Sequence, residues 1–88
     1  MKTDPQFEVD GRGFYIMIAS EVNPRDGIGV LLYEITADDE DMVLYVFRND
    51  GEHKYEVTAF IETLPLAAVE FAIREFHEII DPEFDPPP

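Results

Sequence analysis

The apolar residues of this chain change their spacing once. From Phe7 to Ile61 they alternate or run on in short stretches of β-type residues; from Pro65 to Ile80 they recur every three to four positions. A chain that writes its strands first and its helix last is expected to fold as α+β, in two layers, with the helix laid on an antiparallel meander.

Turn signals divide the strand region. Phe7-Glu8-Val9 alternates and is followed by Asp10-Gly11-Arg12-Gly13, a strong turn sequence. Phe14 to Ala19 reads as a strand, Asn23-Pro24-Arg25-Asp26-Gly27 as a loop, and Gly29 to Ile35 as the next strand. An acidic loop from Thr36 to Asp41 precedes a strand from Met42 to Arg48. Asn49-Asp50-Gly51-Glu52 turns the chain into a last strand from His53 to Ile61. The sheet therefore has four strands, or five if Phe7–Val9 pairs as well.

Pro65 suits the first turn of a helix, where its missing N–H has no partner anyway, and Thr63 is the nearby capping candidate. Leu66, Val69, Ile73, Phe76 and Ile80 share one stripe, and Glu70, Arg74, Glu75 and Glu78 lie away from it. Phe71 falls off that stripe, among the charged residues. The helix would be about 24 Å long, enough to cross the sheet. Asp81-Pro82 ends it, so a single domain over residues 1–81 is expected, with residues 82–88 a proline-rich acidic tail.

The strands hold more apolar residues than one helix can cover. Tyr55, Val57, Ala59 and Ile61 share a face opposite Lys54, Glu56 and Thr58, a half-buried pattern. By simple alternation Met42, Leu44 and Val46 oppose Val43, Tyr45 and Phe47, while Tyr15 and Met17 oppose Phe14, Ile16 and Ile18. Three occupants suit the second face: the chain's own ends through Phe7 or Phe84, a second copy in a homodimer, or a partner protein.

Charge narrows the partners. Twenty acidic residues against six basic ones give −14 in 88 residues, yet the hydrophobic content is 45%, so a folded domain carries an anionic surface. Phosphates would be repelled, which disfavours direct nucleic-acid contact and anionic membranes. Basic protein surfaces are favoured. There is no cysteine for a disulfide or a thiolate metal site. The start lacks a signal-like apolar stretch and no run is long enough to span a membrane, so a cytoplasmic location is expected.

No catalytic constellation stands out. Asp38-Asp39-Glu40-Asp41 is the densest acidic run, but counted from Asp39 a calcium loop would need glycine where Leu44 stands and glutamate where Asp50 stands. His53 flanks a turn, His77 the helical stripe, and Ser20 lacks a nucleophile-elbow setting. Gly11-Arg12-Gly13 and Gly27-Ile28-Gly29 are too short for a phosphate loop. Lys2, Arg12, Arg25, Arg48, Lys54 and Arg74 are scattered. Neither enzyme activity, a metal nor a cofactor is expected.

The functional expectation is a non-enzymatic inhibitor of a basic, nucleic-acid-handling protein. Its contact residues would be Asp38, Asp39, Glu40, Asp41, Asp50, Glu52, Glu70, Glu75 and Glu78, standing in for phosphates, with Phe71 as an aromatic centre. Phage anti-restriction and anti-CRISPR proteins are of this physical type. Two alternatives use the same features: an immunity protein against a basic nuclease toxin, and a dimeric assembly module whose acidity serves solubility.

Overall fold

In the computed structural model, which describes residues 4–21 and 26–80, the strands follow one another in space as they do in the chain. They are β1 (Phe7–Val9), β2 (Arg12–Glu21), β3 (Gly27–Ile35), β4 (Glu40–Asn49) and β5 (Lys54–Ala59), followed by α1 (Leu66–Ile79). The order β1-β2-β3-β4-β5 is antiparallel throughout, a five-stranded meander curled into a half-barrel with one helix. The expected α+β architecture is present, with Phe7–Val9 as the fifth strand.

Local chemistry sets the first turn. Val9 pairs with Arg12, leaving Asp10 and Gly11 as a two-residue loop, both at positive φ (53° and 73°). That is the conformation of a type I′ hairpin turn, which aspartate and glycine tolerate best.

The β3–β4 register shifts once. Leu32 lies opposite Leu44 and Tyr33 opposite Met42, so Val43 is the extra residue of a β-bulge. Val43 and Leu44 consequently both enter the core under the helix. Met42 moves to the side of Tyr45 and Phe47. This corrects the strict alternation drawn from the sequence, which placed Met42 with Leu44 and Val43 with Tyr45.

The core joins Phe14, Val30, Leu32, Val43, Leu44 and Val46 of the sheet to Ala68, Phe71, Ala72, Phe76 and Ile80. Phe76 and Ile80 are where the helical stripe puts them, but the buried face is rotated from the rest of it. Leu66 is 72% exposed and Phe71 only 6%. Ala68 and Ala72 are completely buried, and their small side chains let the helix approach the sheet on that side. Phe71 then reaches β1, stacking on Phe7 with ring centroids 4.8 Å apart. Two expectations are corrected together: Phe71 is not on the outer surface, and Phe7 packs on the helix side instead of crossing the second face. Phe84, the other candidate cover, lies outside the described residues.

Helix α1 contacts β1, β3 and β4. On its side of β5, Tyr55, Val57 and Ala59 stay exposed, although the Tyr55 ring meets Phe76 edge-on at 6.3 Å. Of the half-buried face expected there, Ile61, just past the strand, is partly buried against the core and the rest is not, because the helix leans toward β1. Pro65 occupies the capping position without a side-chain cap; its carbonyl accepts from the Ala68 and Val69 amides. At the other end the Ile80 amide donates to the Phe76 carbonyl.

Candidate functional site

The meander sends the acidic loops to opposite ends of the sheet. Residues 36–39 connect β3 to β4 at one end, and residues 50–53 connect β4 to β5 at the other. Nine residues of β3 separate the ends, about 30 Å at the usual strand rise. The sequence-nominated carboxylates thus form two groups.

The first loop is held by its own bonds. The Thr36 amide and hydroxyl donate to the Asp39 carbonyl at 2.8 and 3.0 Å, and the Asp39 amide donates to Thr36 Oγ1 at 3.1 Å. The Glu40 amide donates to Asp39 Oδ1 at 2.8 Å. Asp38, Asp39, Glu40 and Asp41 are all exposed. A shallow cleft of about 300 Å³ beside this loop adds two further carboxylates, Asp4 and Glu8, to the same end.

The second group is organised by a residue the sequence reading passed over. Asn49 is almost fully buried, and its Nδ2 donates to Glu52 Oε2 at 3.0 Å and to Glu56 Oε1 at 2.7 Å. Its Oδ1 accepts from the Glu52 amide at 3.0 Å. One amide side chain therefore ties the turn and draws two carboxylates together. Lys54 Nζ lies 3.3 Å from Glu52, and Asp50 receives Arg48 Nε at 2.7 Å. Asp50 and Glu52 are thus each engaged by a cation of this chain. An asparagine opening a hairpin turn is too common a signal to single it out.

The helix residues divide too. Glu70 and Glu78 are exposed, Glu75 is half-buried on the side of Ala72, and Phe71 is in the core. They do not make the single aromatic-centred acidic face expected of them.

What the register does assemble is the sheet face away from the helix. Tyr15, Tyr33 and Met42 form one cross-strand row; Met17, Leu31 and Tyr45 form the next; Ala19, Gly29 and Phe47 the third; Glu21, Gly27 and Asn49 the fourth. Tyr15 and Tyr33 stack at 5.1 Å with planes 8° apart, and Tyr45 leans on Phe47 at 5.2 Å. Gly27 and Gly29 make room for these rings: a Cβ on Gly29 would stand 2.7 Å from Tyr45 Cε1, and one on Gly27 2.9 Å from Phe47 Cε1. Tyr45 and Phe47 are buried in this way, while Met17 (51% exposed) and Met42 (40%) are open to solvent.

Carboxylates tie the tyrosine hydroxyls. The Tyr15 hydroxyl donates to Glu40 at 2.9 Å and that of Tyr45 to Glu21 at 3.1 Å. Partial burial, with the Glu40 contact, pushes the Tyr15 phenol up to about 12. The two faces differ in charge as well. On the helix side Arg12 grips Glu34 through two bonds of 2.8 and 2.7 Å, which hold the Glu34 carboxyl below its ordinary range and raise the guanidinium. Register places Arg48 on that side also. The open face carries Glu8, Glu21, Glu40 and Glu56, with Lys54 as its cation.

Among the described residues, no three His, Asp or Glu side chains converge as metal ligands, and no helix is long and apolar enough to cross a membrane. Compared with protein-family models, curated proteins and solved structures, the chain finds no match in any of the three.

Proposed function

We propose that this chain is a non-enzymatic, acidic binding protein that inhibits a nucleic-acid-handling partner by occupying its basic surface. One observation carries the reading. Arg12, Arg48 and Lys54 are each held by a carboxylate of the same chain, Glu34, Asp50 and Glu52, so three of the six cations in the sequence are already matched internally. The acidic excess is turned outward, where it meets arginines and lysines that otherwise hold phosphates. An immunity protein against a basic nuclease toxin would use the same physics, and a toxin gene beside this one would favour that version.

The test is binding to a panel of purified basic nucleases and other nucleic-acid-handling proteins across a salt series. Affinity for the true partner is expected to fall steeply as the screening length shortens from about 10 Å at 0.1 M to about 3 Å at 1 M. The combined variant Asp38→Lys, Asp39→Lys, Asp41→Lys is expected to weaken binding by roughly tenfold or more. Salt-insensitive binding would defeat the charge reading, and an unchanged affinity in the triple variant would remove the loop from the contact.

A further inference from the structure

We infer that the open face of the sheet, centred on Tyr15, Met17, Leu31, Tyr33 and Met42, is the docking surface, and that its occupant is an arginine-bearing segment of a basic partner protein. The inference rests on the acidic-binder reading and gives it a place and a chemistry. The face has the composition of a contact surface: tyrosines and methionines at its centre, carboxylates about it. Register alone brings these residues together, from three strands, on a side that no described helix or strand covers.

Charge selects the occupant. Glu8, Glu21, Glu40 and Glu56 come from four different strands and surround the apolar centre on the open side. Lys54, the cation there, lies 3.3 Å from Glu52, and both sheet arginines, Arg12 and Arg48, belong to the helix side. A second copy would bring two such carboxylate sets together while excluding water, which strengthens their repulsion. A guanidinium has the opposite preference. Its flat cation stacks on a tyrosine ring, and its planar fork matches a carboxylate. The stacked Tyr15–Tyr33 pair, with Glu40 reaching Tyr15 from the adjoining row, offers both side by side. A lysine could use the charge but could not stack in the same way.

The experiment is NMR mapping on the full chain at low salt, repeated at rising salt, with a short synthetic peptide alternating arginine and leucine, and a matched lysine–leucine peptide. Expected are shifts of the Met17 and Met42 methyls, the Leu31 methyls and the Tyr15 and Tyr33 rings, with the arginine peptide bound more tightly. A Met17→Lys, Met42→Lys variant, altered only at exposed positions, is expected to lose about tenfold in affinity. The mapping does not depend on that variant folding. Shifts confined to Asp38–Asp41 or to Asp50 and Glu52 would overturn the inference and leave the acidic-binder reading standing. Binding on the open face that ignored salt would sink the acidic-binder reading and keep the face. No binding of either peptide would overturn both. Two results would name other occupants and so overturn it: a dimer in sedimentation abolished by the double variant, or Overhauser contacts from Phe84 to Tyr33 in the protein alone.

Discussion

Phe71 and Leu66 sit on one helix, five positions apart, and their environments are the reverse of what their spacing suggests. The phenyl ring is enclosed between the helix and Phe7, and the leucine projects into water. Phe71→Ala is accordingly expected to cost about 3–5 kcal/mol, and Leu66→Ala no more than about 0.5 kcal/mol, both read from urea denaturation midpoints at unchanged slope. A larger loss at Leu66 than at Phe71 would mean that the helix sits in the orientation the sequence implies. The error has a physical source. Apolar residues cover a wide arc of α1, from Phe71 round to Leu66, and periodicity cannot say which part of a wide arc meets the sheet. The two alanines decide it. They contribute little to a hydrophobic pattern, yet they fix where the backbone can come closest. Asn49 was hidden for a related reason, since its value lies in joining Glu52 and Glu56, three and seven positions on, which an asparagine opening a turn does not advertise.

Elements were more legible than the faces they present. Turn chemistry at Asp10-Gly11 and at residues 49–52, with β-type runs between, gives the strands their order, and the shift to helical spacing gives the sheet its cover. The bulge at Val43 escapes such a reading because one extra residue in a continuous apolar run leaves no mark in composition, while it reverses every side chain before it. The surplus of apolar residues still pointed to a second face, with Tyr15, Met17, Tyr45 and Phe47 on it as expected; only Met42 and Val43 were assigned to the wrong sides. Gly29 tests how tightly that face is built. Gly29→Ala would press its new methyl against Tyr45 Cε1 and the Val46 carbonyl, and a loss of about 1–3 kcal/mol in chemical denaturation is expected. Gly51→Ala, whose Cβ would stand 3.6 Å from Asn49 Oδ1, serves as the roomy comparison. If both were tolerated equally, the rings would not be seated on the glycine backbone as described.

Across the whole molecule, the net charge was plain from the sequence and its distribution was not. Loops that look like one acidic surface in the chain stand at opposite ends of a long strand, because each connection of a meander reverses direction. The same strand order has a kinetic meaning. Every strand pairs with its neighbour in the chain, so most of the sheet can zip together by short loop closures, without waiting for remote segments to meet. The helix contacts are the exception, among them the Phe7–Phe71 stack, which joins the first strand to the final helix. The stack is expected to close after the main barrier, so Phe7→Ala should accelerate unfolding and leave the refolding rate nearly unchanged in stopped-flow measurements. A matching slowdown of refolding would instead put that stack in the nucleus. On this account the protein is assembled quickly from its middle outward and fastened last by two phenyl rings, and those rings govern how long it stays folded more than how fast it gets there.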